Sequence, residues 1–173
     1  MALGKECAKK KKVLYLNLEE YSGIHAECDE ELNLSDLLYY LKQGNGNLGI
    51  RLKSAVKKME QLDVISPIPI VLDFKEVTWK EWEVLMEQIL ENSPYEIVIL
   101  DVGESIQGLF QLLEMCDRVY MPVLNDDVSA CKIQQYQKNL EQLKLEKLKQ
   151  NTYQFVMPLN LEEFAKIRMK EEC

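Results

Sequence analysis

Three apolar runs in this chain each end in polar side chains. Asn17, Glu19 and Glu20 follow the first, Asp101 and Glu104 the second, and Asn125, Asp126 and Asp127 the third. In an open parallel sheet, ligands bind beyond the carboxyl ends of the strands, so these are the residues with the means to do chemistry. Asp101, delivered by Tyr95-Glu-Ile-Val-Ile-Leu, stands where nucleotide hydrolases place a carboxylate to hold the water shell of Mg²⁺ beside phosphates. An apolar strand ending in aspartate is common, so this pattern names a chemistry and needs further support to define a site.

Other motifs carry less. Gly44-Asn-Gly46-Asn-Leu-Gly49 matches G-x-G-x-x-G, but it follows a helical segment, so it reads as a glycine-rich helix terminus and loop. The pattern G-x-x-x-x-G-K-[ST] does not occur in these residues, where Gly4-Lys5 is followed by Glu6. His25 is the one histidine, and it lies in an acidic stretch without a nucleophile elbow, which reads as a surface side chain. Trp79 and Trp82 fall on a helical stripe and read as core. The five cysteines are irregularly spaced, with no C-x-x-C pair, which points to free thiols in a reducing, cytosolic compartment.

Periodicity supplies the elements that must position the strand-end residues. Val13–Leu18 is an almost continuous apolar run, suited to a strand buried on both faces. A helix opening at Ser35 and closing at Gly44 follows, then a second over Arg51–Met59, and a short strand over Leu62–Ser66. Pro67 and Pro69 then force an extended loop. Thr78-Trp-Lys-Glu81 is a capping box before the stripe Trp82, Leu85, Met86, Ile89 and Leu90. Strands over Tyr95–Asp101 and Asp117–Val123 flank a helix at Gln107–Met115. A long helix through Ile133, Tyr136, Leu140 and Leu143, a charged continuation to Lys149, a strand at Tyr153–Met157 and a helix over Leu161–Glu171 complete the chain. Strands alternating with helices imply a three-layer α/β fold, with a mainly parallel sheet and helices on both faces.

At 173 residues and 47% hydrophobic, the chain has the size and composition of one folded domain. Its 21 basic and 29 acidic residues give a net charge of −8, which repels nucleic-acid phosphates and anionic lipid, so direct nucleic-acid binding and membrane association are not expected. No apolar stretch approaches the ~18 residues of a membrane span. The last helix is mildly amphipathic, but its three Glu, with Glu172 next in the chain, against two Lys and one Arg favour docking on protein over lipid.

Three segments together resemble the ParA/MinD-type ATPases. Leu3-Gly-Lys-Glu-Cys-Ala-Lys-Lys-Lys-Lys-Val-Leu-Tyr-Leu-Asn-Leu-Glu19 is similar to their helix after the P-loop and the following strand. Tyr95-Glu-Ile-Val-Ile-Leu-Asp101-Val-Gly resembles their Y-D-hydrophobic-I-I-x-D-x-P, and Cys116-Asp-Arg-Val-Tyr-Met-Pro-Val123 with Ser129–Lys132 resembles their C-D-x-hydrophobic-x-x-P-V…S. Tyr15–Glu19 and Ser35–Lys42 are most similar to the CpaE-like members. The resemblance implies an ATP- and Mg²⁺-dependent switch that dimerises across nucleotide and acts on a protein partner. Asp101 would position Mg²⁺ through water, with Asn17 and Asp126 near the nucleotide, and Glu19 would be the catalytic, water-orienting carboxylate.

The departures are equally specific. Asn17 and Glu19 stand at the two aspartate positions of the family's strand motif, Val102-Gly103 replaces D-x-P, and Met157-Pro158 replaces the asparagine that meets adenine. Without the P-loop, carboxylates face the phosphates with no row of backbone N–H donors, so this chain is not expected to hold ATP tightly. The family's P-loop strand is central, and its loss would leave ladder groups unpaired, so the residues are either part of a longer product or a rearranged sheet. Two functions stay open: a nucleotide-switch ATPase domain, and an inactive relative serving as a protein-interaction module. A receiver-like phospho-acceptor is a third, opposed by the lack of a lysine ending the last strand.

Overall fold

The computed structural model describes residues 1–23, 32–44 and 48–157, apart from the Met157 side chain. His25, Cys28, Gly46 and the helix expected over Leu161–Glu171 lie outside the described residues. The chain divides into two compact units, the first formed by Met1–Leu109 and the second by Phe110–Asn160.

The first unit is built on β1 (Val13–Leu18), whose six residues are all buried. It pairs in parallel with β3 (Leu62–Ile65) on one side and with β4 (Ile97–Val102) on the other, with Leu16 opposite both Ile65 and Leu100. β2 (Val56–Met59) adds an antiparallel edge to β3, giving the order β2-β3-β1-β4. A strand paired on both sides and covered on both faces can be apolar throughout, which is why this run shows no alternation.

Helices cover the two faces. α1 (Ala2–Cys7) contributes Cys7 to a cluster with Val13, Tyr15, Leu62 and Val64, the odd-numbered β1 residues on one face, and Leu3, Ile97 and Ile99 pack against it. Leu14, Leu16 and Leu18 point to the other face and are fully buried. α2 (Leu34–Lys42), α3 (Leu48–Ala55) and α5 (Trp79–Asn92) pack on one another, burying Leu37, Leu52, Trp82, Leu85 and Ile89. The mainly parallel α/β architecture expected from periodicity is what the chain adopts.

Several local expectations are corrected. α2 is capped by Asn33 and not Ser35: Asn33 Oδ1 accepts from Ser35 N at 2.8 Å, and Asn33 N donates to Asp36 Oδ2 at 2.8 Å. The helix expected over Arg51–Met59 stops at Ala55, and Val56–Met59 pairs with β3 through a turn that sets Glu60 at φ 62°. After the prolines, α4 (Val71–Glu76) forms where only extended loop was expected. In α5 the capping box is as predicted, with Thr78 N donating to Glu81 Oε2 at 2.7 Å, but Leu90 falls off the buried stripe and is exposed.

The second unit holds α6 (Leu109–Met115) and a two-stranded parallel sheet of β5 (Val119–Leu124) and β6 (Thr152–Met157). α7 (Asp127–Gln142) and α8 (Glu146–Asn151) form the crossover between the strands, and Leu112, Val123, Leu140 and Leu148 are its buried side chains. The expected continuous helix to Lys149 is broken. Leu145 N donates to Leu140 O at 2.9 Å and Lys144 N to Glu141 O at 3.1 Å, with Lys144 at φ 58°, the bonds of a Schellman end. The strands thus fall into two sheets where sequence periodicity suggested one.

Leu16→Ala, which opens a cavity at the centre of the first sheet, is expected to cost ~3 kcal/mol in urea unfolding, and Leu72→Ala on the exposed side of α4 under ~0.5 kcal/mol. Similar losses at the two positions would contradict the placement of β1.

Candidate functional site

The register of β1 against β4 assembles the site. Tyr15 is opposite Ile99 and Asn17 is opposite Asp101, so Val13, Tyr15 and Asn17 share a sheet face with Ile97, Ile99 and Asp101. Tyr15 lies diagonally across from Asp101, a separation a long side chain spans. Its hydroxyl donates to Asp101 Oδ2. The ring is 2% exposed, within the apolar cluster under α1, so only the hydroxyl reaches the polar end.

Asn17 is one of two buried polar residues among those described. Its Nδ2 donates to Glu19 Oε2 at 3.1 Å, and its Oδ1 accepts from Glu19 N at 3.0 Å, which holds the chain as it leaves β1. Gly103 N donates to Leu18 O at 3.0 Å, carrying the β1–β4 pairing one step past β4. A Cβ at Gly103 would stand 3.4 Å from Glu19 Cα, so the two strand ends approach closely.

Beyond these ends lies an open pocket of about 300 Å³, lined by Glu19, Glu20, Tyr21, Gly103, Glu104 and Ser105. The Ser105 hydroxyl and then Lys75 hold the Glu20 carboxyl below its ordinary range, and Lys75 Nζ is 3.1 Å from Glu20 Oε1. Three carboxylates and no cationic side chain form the lining. A nucleotide's phosphates meet repulsion here and no cradle of N–H donors, so these residues do not fit ATP. Among the described residues, no group of three or more His, Cys, Asp or Glu is disposed to hold a metal ion.

The structure therefore brings Asn17, Glu19 and Asp101 together. Asp126 belongs to the second unit, where it caps α7: its Oδ1 accepts from Ser129 N at 2.8 Å, and Ser129 Oγ accepts from Leu124 N at 3.1 Å. Sequence reasoning overlooked Tyr15 as a site residue, along with Lys75 and Ser105. Tyr15 was recoverable, because strand parity alone sets it on the Asp101 face once β1 and β4 are paired. Lys75 was not, because α4 was not foreseen. A smaller pocket of about 210 Å³ at the opposite, amino-terminal strand ends is mostly apolar, and its Asp63 is already engaged by the Tyr95 hydroxyl at 2.9 Å and by Lys58.

No protein-family model and no curated protein matches the sequence. Solved structures do match in fold. A ParA family ATPase from Chlorobium tepidum TLS superposes with a TM-score of 0.68 at 15% identity, over 90% of this chain and 65% of its own. A plasmid partition protein from Borrelia burgdorferi B31 bound to AMPPNP gives 0.65 at 15% identity, over 98% of this chain and 74% of its own. MinD in the MinC:MinD cell division protein complex of Aquifex aeolicus gives 0.53 at 18% identity, over 90% of this chain and 60% of its own. The chain has the α/β fold of the ParA/MinD-type ATPases. It spans less than two thirds of the Chlorobium and Aquifex chains.

Two engaged tyrosines, Tyr15 in the site and Tyr95 at the opposite strand ends, give the first unit a pH signature. Burial, then the hydrogen bond to Asp101, raises the Tyr15 pKa, and burial with the bond to Asp63 raises that of Tyr95. The folded state then holds these protons at a pH where the unfolded chain has released them, so stability falls as pH rises above about 10. Tyrosinate absorbance is expected to show two phenols ionising above the ordinary tyrosine range, one of them lost in Tyr15→Phe, which is also expected to flatten the alkaline loss of stability.

Proposed function

We propose that this ParA/MinD-type fold serves as a protein-interaction module, regulating or positioning a partner without turnover of ATP by these residues. The observation that carries the reading is the strand-end pocket, whose lining is acidic where the chemistry of a switch ATPase needs donors and cations. The thiols of Cys116 and Cys131 are in keeping with a reducing compartment, and no helix among the described residues is long and apolar enough to cross a membrane. A fold like that of MinD in its complex with MinC supports a role exercised through protein contact.

A second reading has its own observation. Glu19 and Asp101 close adjacent parallel strands, the arrangement in which Asp101 positions Mg²⁺ through water and Glu19 orients the attacking water of an ATPase. The two readings separate in one titration. Calorimetry of this chain with ATP and Mg²⁺ is expected to show no binding up to about 1 mM nucleotide, the range in which a site worth ~4 kcal/mol is detected. A micromolar Kd would overturn the module and favour the ATPase.

A further inference from the structure

We propose that the exposed side of α3, together with Tyr39 and Tyr40 of α2, docks an acidic segment of a protein partner through Arg51, an inference that rests on the protein-interaction reading.

The charges of the chain are unevenly placed. From Leu37 to Met59 there is no Asp or Glu, and Lys42, Arg51, Lys53, Lys57 and Lys58 are five cations within a chain of net charge −8. Lys42 is paired with Glu81, and Lys58 with Asp63. Among the described residues no ion pair engages Arg51 or Lys53. Lys53 borders the pocket at the amino-terminal strand ends, and the carboxylates of Glu19, Glu20 and Glu104 line the pocket at the other ends. A strand of six residues separates the two by roughly 20 Å, beyond the screening length of about 8 Å at physiological salt, so the acids do not cancel the local positive field.

The geometry prepares Arg51 for a carboxylate. Its Cζ lies 4.2 Å from the centroid of the Tyr40 ring, and Tyr40 meets Tyr39 edge-on with centroids 6.2 Å apart. A guanidinium held over an aromatic face keeps the N–H donors of its own plane available, and it loses little freedom when a carboxylate takes two of them. Leu48, Leu52 and Ala55 form the buried side of α3, which leaves Ile50, 65% exposed, on the outer side next to Arg51. Tyr39 is 59% exposed. Tyr and Arg are the side chains that most often carry binding energy in protein interfaces, and Ile50 adds apolar area beside them. Nucleic-acid phosphates could meet the same cations, but the net charge of −8 repels a polyanion at long range.

Random peptides displayed on phage, selected on the unmodified chain and counter-selected on Arg51→Glu, supply the probe. The peptides lost on the variant are expected to be rich in Asp and Glu, with an apolar residue among them. Synthesised and labelled, they are expected to bind Arg51→Glu more weakly by about tenfold or more, the scale of a side chain central to an interface. The same loss is expected with Tyr39→Ala, a change at an exposed ring that keeps the comparison open where Arg51→Glu does not fold. Peptides that bind all three chains equally overturn this surface and leave the interaction reading standing. Recovery of no peptide, or of Arg51-dependent peptides without an excess of acid, overturns it as well. Tighter Arg51-dependent binding of a labelled single-stranded oligonucleotide overturns it in favour of nucleic acid. A micromolar Kd for ATP strikes the module reading without touching the Arg51 dependence, so the two failures are told apart.

Discussion

Everything in the first unit depends on the burial of β1 between two parallel neighbours. Parallel pairing sends β1, β3 and β4 in one direction, so their polar ends fall together, and the one-to-one register decides which residues become neighbours. A slip of one residue would turn Tyr15 and Asn17 to the opposite face and separate both from Asp101. Fully burying side chains such as Leu14, Leu16 and Leu18 gains roughly 1.5 to 3 kcal/mol each, which makes such a slip costly. Hydrophobic burial, remote from any chemistry, therefore sets the geometry of the polar end.

The two edges of this sheet differ in a way that follows from composition. β2 is four residues long, antiparallel, and carries Lys57 and Lys58, features that discourage pairing with another strand. β4 is six residues long, apolar through Leu100, and paired only with β1, with all its residues partly buried. The strand ends gathered beyond β1 and β4 are acidic, with Glu19, Glu20 and Glu104 around one pocket.

The sequence made β1, β4, α5 and their order legible because these elements have strong local signals: a long apolar run, an apolar run ending in Asp101, and a capping box ahead of a buried stripe. It was less informative where local preference is weak. Val56–Met59 is a strand because it pairs with β3, and α4 is a six-residue helix after two prolines, too brief to register as a period. The helix break at Lys144 turns on one non-glycine residue at positive φ, which composition does not announce. In the site, the strand-end acids Glu19, Glu20, Asp101 and Glu104 were readable from topology. Their partners were not, since a resemblance directs attention to the positions that match a motif, and Tyr15 lies between them. Asp126, read from the sequence as a strand-end acid, is the N-cap of α7 in the second unit.

The central claim is that the Tyr15 hydroxyl and the Asp101 carboxylate hold each other across the β1–β4 pair. A double-mutant cycle with Tyr15→Phe, Asp101→Asn and the combined variant, read by urea unfolding at neutral pH, measures that interaction with the flanking losses removed. A hydrogen bond to a charged group predicts a favourable coupling of about 1.5 to 3 kcal/mol. Additive losses, with coupling near zero, would contradict the account.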